Sequence, residues 1–189
     1  MTYSPSLDRL KSVLQEVDTE LIVTTRQMFP EVFHSWLEQN GVLSVAVGSD
    51  ALLGELDVKQ MAQDQKVGIA DLSIHDSELH DADRWHQILA GTDAGITSAI
   101  GIAEETGSVL LIPHSPDERA ISLLPPIHLI VLEQSKVVPD IATLIKRWQD
   151  VGAEGSNVFV TGPSRTADIE KELVLGVHGP MTVTVILLG

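Results

Sequence analysis

Four loop segments of this sequence hold residue types able to do chemistry. The first pairs Asp93, Thr97 and Ser98 with the run Glu104-Glu105-Thr106-Gly107-Ser108. Neighbouring side chains on a strand point to opposite faces, so Glu104 and Glu105 cannot act as a paired acid and base. One of them faces a site, and the other faces solvent or an ion pair. Glu105 is the candidate general base, nucleophile or substrate ligand; the alternative is a turn carboxylate that caps backbone N–H groups. Thr106, Gly107 and Ser108 have the composition of a tight hairpin turn. Asp93, Thr97, Thr106 and Gly107 are candidate ligand contacts around it.

The second segment, Leu124-Pro125-Pro126-Ile127-His128, leads into a strand. Its prolines fix an extended entry, and His128 is expected to be a hydrogen-bonded core histidine. The third runs from Thr161 to Glu170. Gly162 permits a sharp turn, Ser164 and Thr166 are candidate helix caps, and Asp168 and Glu170 fall in a first helical turn. Free backbone N–H groups there, with Arg165, form a candidate site for a carboxylate or phosphate; Arg165 paired with Asp168 or Glu170 is the alternative. The fourth is Gly176-Val177-His178-Gly179-Pro180, where flanking glycines allow close backbone approach. His178 is the histidine most readily assigned to a site, as a catalytic candidate. His75, His80 and His86 are irregularly spaced and do not share a helical face, so no metal site is expected.

The elements that must position these loops follow from periodicity. A helix starts at Ser6, with Leu7, Leu10, Val13, Leu14 and Val17 at helical spacing. A second covers about 25–40, with Pro30 near its start and Gly41 at its end. The apolar run 42–47 has the pattern of a strand buried on both faces, and 67–70 is a weaker strand. A helix is expected around 77–89. Strands are expected at 93–97, 100–103, 109–112, 127–132, 157–161 and 183–188, with helices at about 139–150 and 166–175. Strand–helix alternation over the last three strands predicts parallel pairing, and the close-set strands of 93–112 predict some antiparallel pairing. The expectation is a single α/β domain, with a mostly parallel or mixed sheet flanked by helices. Residues 1–24 form an N-terminal helix, and 25–189 form the α/β domain.

Composition narrows the function. The 189 residues are 43% hydrophobic and 21% charged, which suits a packed globular domain. Twelve Lys and Arg face 27 Asp and Glu, for a net charge of −15. Such a surface repels phosphate backbones and anionic lipid, which argues against nucleic-acid and membrane partners. The chain has no cysteine, so thiolate catalysis and Cys-ligated zinc or iron–sulfur clusters are excluded within it. The P-loop, the dinucleotide-binding glycine fingerprint and HExxH are absent. Without a secretory leader or a long apolar run, a cytoplasmic location is expected.

Five motifs also carry a resemblance. They are Gly-Ile-Thr at 95–97, Glu-Thr-Gly-Ser at 105–108, Leu-Pro-Pro-Ile-His at 124–128, Gly-Pro-Ser-x-Thr-x-Asp-Ile-Glu at 162–170 and Gly-Val-His-Gly-Pro at 176–180. In this order the chain resembles the LUD domain, the family of the lactate-utilisation C proteins. The resemblance implies a fold similar to the NagB/RpiA/CoA-transferase-like group. It also implies a place in a bacterial system that oxidises L-lactate to pyruvate. In that system the iron–sulfur clusters belong to partner proteins, and no cofactor is expected in this chain. The family pattern often has an acidic residue where Ile100 stands and a small apolar residue where Glu104 stands.

Three hypotheses follow. The chain is a cluster-free subunit or accessory protein of lactate oxidation. Alternatively, it is a stand-alone enzyme acting on a small anionic metabolite through Glu105 and the 162–166 turn. The third is a ligand-sensing module without chemistry.

Overall fold

The computed structural model describes residues 3–72, 81–152, 157–167, 173–175 and 179–189, with backbone only at 81–83, 166–167 and 173–175. Helix α1 (Leu7–Glu16) is capped by the Ser6 hydroxyl, which accepts from the Arg9 N–H, and buries Leu10 and Leu14. The helix expected within 1–24 therefore ends early. It is followed by a strand that sequence periodicity missed, β1 (Thr19–Thr24). Helix α2 (Phe29–Gln39) carries Pro30 in its first turn and buries Phe29, Phe33, Trp36 and Leu37. The rings of Phe29 and Phe33 stack with centroids 5.7 Å apart, and Phe33 and Trp36 with centroids 6.3 Å apart.

Strands β2 (Ser44–Val47) and β3 (Gly68–Ile69) fall where apolar runs predicted them, separated by short helices α3 (Ala51–Glu55) and α4 (Val58–Asp64). Helix α5 (Asp81–Ala90) leads to β4 (Ala94–Ser98), β5 (Gly101–Ala103) and β6 (Val109–Leu111). Helix α6 (Pro116–Ile121), β7 (Ile127–Glu133), the short β8 (Val137–Val138) and helix α7 (Ile141–Val151) come next. The chain continues through β9 (Val158–Val160), β10 (Arg165–Ala167), β11 (Leu173–Leu175) and β12 (Thr182–Leu188).

Among the described residues six strands form one sheet in the order β1-β12-β7-β4-β2-β3. Every pairing in it is parallel. Its two faces are covered by separate cores. One joins α2, α3 and α4 to Val45, Ile96, Leu129, Val131 and Ile186. The other joins α1 and strands β5 and β6 to Ile130, Leu132, Val183, Val185 and Leu187. Burial on both faces explains why these strands read as apolar runs rather than alternating ones. The antiparallel pairing expected in 93–112 is β5 with β6, part of a four-stranded sheet β8-β5-β6-β9.

Two expectations are corrected. The strand at 157–161 does not join the parallel sheet; β9 lies antiparallel to β6, with Phe159 opposite Leu110. The helix expected over 166–175 is also absent from its described residues. Instead β10 and β11 pair antiparallel, with Arg165 opposite Leu175. The run Leu173-Val174-Leu175 fits a short strand as well as a helical turn, since periodicity cannot separate the two over three residues.

The fold is tight where β4 passes α6. A Cβ on Gly95 would lie 2.0 Å from the Ile121 carbonyl oxygen, whereas one on Gly54 in α3 would meet nothing within 4 Å. Gly95→Ala is expected to cost about 3 kcal/mol or more by forced repacking. Gly54→Ala is expected to gain up to about 1 kcal/mol by helix propensity. Denaturant midpoints of the two variants check this, and equal shifts would refute the packing account.

The same sheet buries His128 completely, with its Nε2 2.9 Å from Thr97 Oγ1 and its Nδ1 without a hydrogen-bond partner among the described residues. Burial pushes the imidazole down to about 3, far below its usual value of about 6.5. Between those values the unfolded chain binds a proton that the native protein refuses. Stability from this group is therefore complete above about pH 6.5 and falls as the pH drops through the window. From pH 7 to 4.5 the wild type is expected to lose about 2–3 kcal/mol more than a His128→Gln variant loses, at about 1.4 kcal/mol per unit. Urea unfolding at both pH values measures the difference, and parallel losses in the two proteins would show that His128 is not the source.

Candidate functional site

The chain leaves β2 outward to β3 and returns to β4 on the other side of β2. This reversal makes the β2/β4 boundary the topological switch point, and ligands of open parallel sheets gather at the carboxyl ends of the strands there. The residues at that place are Gly48-Ser49-Asp50 after β2 and Ser98-Ala99-Ile100 at the end of β4. The Asp50 carboxylate spans the gap and accepts from the Ser98 N–H at 3.4 Å.

On one side of the switch point a cleft of about 500 Å³ is lined by Arg26, Asp50, Ser98, Glu133, Lys136 and Arg147, with Ile100 in its wall. Arg26 donates to Glu133 at 2.6 Å and to Glu55 at 3.1 Å. Its hydrogen bond holds the Glu133 carboxyl below the usual carboxylate range, so the group stays ionised at neutral pH. Arg147, on α7, donates through Nη1 to the carbonyls of Lys136 at 2.9 Å and Ile100 at 3.3 Å. The Lys136 ammonium forms no ion pair among the described residues. Three cations, Arg26, Lys136 and Arg147, thus face three carboxylates, Asp50, Glu55 and Glu133, in one cleft.

On the other side of the switch point Glu118 bridges two loops and accepts from the Ser49 and His114 N–H groups, each at 2.6 Å. Burial works to raise this carboxyl, but the hydrogen bonds outweigh it and hold the group below its ordinary range. Glu118 and Lys59 line a second cleft, of about 610 Å³, beside the end of β3.

Most of the residues singled out by sequence stand elsewhere. Asp93 lies at the amino end of β4, where its carboxylate accepts from the N–H groups of Leu43 and Ser44 and from the Ser44 hydroxyl, at 2.9–3.0 Å. It fastens β2 to β4. Gly162, at φ +79°, turns where a Cβ would lie 2.2 Å from the Val17 carbonyl oxygen. The Ser164 N–H donates to the Pro180 carbonyl at 2.8 Å. Arg165 is ion-paired with Asp18, an acid that the sequence did not offer as its partner, and Thr166 pairs with Val174 in the β10–β11 ladder. These residues cluster at the amino end of the main sheet, across the molecule from the switch point. Asp168, Glu170 and His178 lie outside the described residues.

Glu105 is exposed at the start of α7, where it accepts from the Ile141 N–H at 3.2 Å; this is the backbone-capping alternative. Thr106 and Gly107 form the expected hairpin turn. The Thr106 hydroxyl donates to Ser108 Oγ at 2.9 Å, and Gly107 adopts φ +69° against Leu14 of α1. Thr97 is buried against His128. Glu104 is buried, and it holds the N-terminal segment through the Tyr3 hydroxyl, the Ser6 N–H at 2.9 Å and Arg9 at 3.7 Å. Its carboxylate is committed there. No group of three or more His, Asp or Glu side chains among the described residues is arranged to hold a metal ion.

Sequence reasoning missed Asp50, Glu133, Lys136 and Arg147. Each looks like an ordinary surface charge in one dimension. The signal that finds them is strand order, which pattern alone does not supply.

The comparisons with known proteins agree with this architecture. The "Lactate utilization protein C" of Oceanobacillus iheyensis is 30% identical over 188 residues, covering 96% of this chain and 79% of that protein. The protein of the same name from Halalkalibacterium halodurans is 27% identical over 192 residues, covering 97% and 80%. A crystal structure of a DUF162 family protein from Deinococcus radiodurans superposes with a TM-score of 0.69 at 20% identity, over 97% of this chain and 96% of that one. That likeness supports the fold. The LUD domain model matches residues 7–188, and the chain belongs to the LUD domain family.

Proposed function

We propose that this chain is the cluster-free LUD subunit or accessory protein of a bacterial system that oxidises L-lactate to pyruvate. The observation that carries the reading is the family match along residues 7–188, on a chain without a single cysteine. Oxidising lactate to pyruvate releases two electrons and two protons. A conventional iron–sulfur cluster needs thiolate ligands, so in this reading the electrons pass to clusters held by partner subunits. The chain's net charge of −15 suits docking on a basic face of such a partner. No helix among the described residues is long and apolar enough to cross a membrane. A cytoplasmic, partner-bound role accords with that.

A tagged pull-down from the native host grown on lactate, with mass spectrometry and an iron assay of the eluate, tests the proposal. Cysteine-rich, iron-bearing partners in fixed stoichiometry are expected, together with loss of lactate oxidation when the gene is deleted. An iron-free single species and undiminished lactate oxidation after deletion would overturn it and favour a stand-alone enzyme.

A further inference from the structure

We infer that the cleft at the β2/β4 switch point is a binding site for a hydroxylated oxyanion. Arg147 and Lys136 take the oxyanion, and Asp50 accepts from a hydroxyl of the same molecule. The inference goes beyond the lactate reading and stands without it.

Placement is the first support, since the cleft opens at the carboxyl ends of β2, β4 and β7, where the strand order reverses. Charge is the second. Glu133 is hydrogen-bonded to Arg26 and acts on Lys136 only through space, so the ammonium makes no close ion pair among the described residues and can turn to a ligand. Arg147 is held by two carbonyls through Nη1 alone, which leaves the rest of its planar fork for an oxyanion. Those two carbonyls fix the guanidinium before a ligand arrives, so little side-chain entropy is lost on binding.

Size is the third support. About 500 Å³ lies within the roughly 300–1,000 Å³ of small-molecule sites. A three-carbon acid fills a small part of that space. The space admits a larger ligand with further polar groups, and Asp50 in the lining is an acceptor that favours hydroxyls over a second anion.

Calorimetric titration of the full chain tests the site with four probes. Gluconate and glycerol 3-phosphate join an oxyanion to hydroxyls, while acetate and glycerol each supply one half. Saturable binding of gluconate or of glycerol 3-phosphate, tighter than acetate or glycerol, is expected, and whichever binds more tightly identifies the anion as carboxylate or phosphate. Lys136→Gln, an exposed change, is expected to weaken that binding roughly tenfold or more. Asp50→Asn weakens the hydroxylated probe but not acetate, and Arg165→Gln at the opposite end of the sheet changes neither. Absence of saturable binding by both hydroxylated anions up to about 10 mM would overturn the inference. So would glycerol binding as tightly as they do, or affinities unmoved by Lys136→Gln. Iron-free pull-downs would leave this result untouched, and failed titrations would not bear on the lactate reading.

Discussion

Seven residues of β12 pair with β7 and six with β1, all in parallel register. The rest of the structure depends on this ladder. It draws Thr19–Thr24 against Thr182–Leu188, so the two ends of the chain close one edge of the sheet. Val183, Val185 and Leu187 then face one core, and Ile186 and Leu188 face the other. A slip of one residue would exchange the two sets and put Thr182 and Thr184 where Val183 and Val185 now stand. With the register fixed, the carboxyl ends of β2, β4 and β7 are aligned, and only then do residues as distant as Asp50, Ser98 and Arg147 share one cleft.

Local patterning recovered much of this. Ser6 before a 3.6-residue repeat, Pro30 at the head of α2 and the Thr106-Gly107-Ser108 turn are decided by chemistry within a few residues. The stretch Thr19–Thr24 was not legible as a strand, because Glu20 and the threonines dilute an edge strand whose partner lies more than 160 residues away. Residues 166–167 and 173–175, expected in a helix and found as strands, differ for another reason. Gly162 turns against the Val17 carbonyl, and Arg165 meets Asp18, so tertiary contacts with the start of β1 set the local geometry against helix propensity.

The same distinction governs the site. Motif segments draw the eye to Asp93, Gly162, Ser164 and Arg165, and these hold the amino ends of the strands together. Asp93 alone satisfies two backbone N–H groups that would otherwise end β2 unpaired. Unusual residues in unusual turns mark places where the chain cannot do otherwise, and that includes structural fastenings. Residues of the carboxyl-end cleft have no such local constraint. Lys136 and Arg147 gain significance only from the order in which strands are laid down.

Charge distribution supports the same separation of roles. In a chain with 27 acids and twelve bases, a cation spent within the protein is a cation withheld from ligands. Arg165 is spent on Asp18, Arg9 on Glu104 and Arg26 on Glu55 and Glu133. Arg147 gives up only one nitrogen, and to neutral carbonyls, so its charge is not cancelled by a carboxylate. Beside it, Lys136 shares the field of Glu133 with Arg26 but makes no close ion pair among the described residues. The cleft as a whole is formally balanced, with Asp50, Glu55 and Glu133 facing Arg26, Lys136 and Arg147, so what distinguishes it from the net-negative surface is a guanidinium held in place by carbonyls and free of a close carboxylate partner.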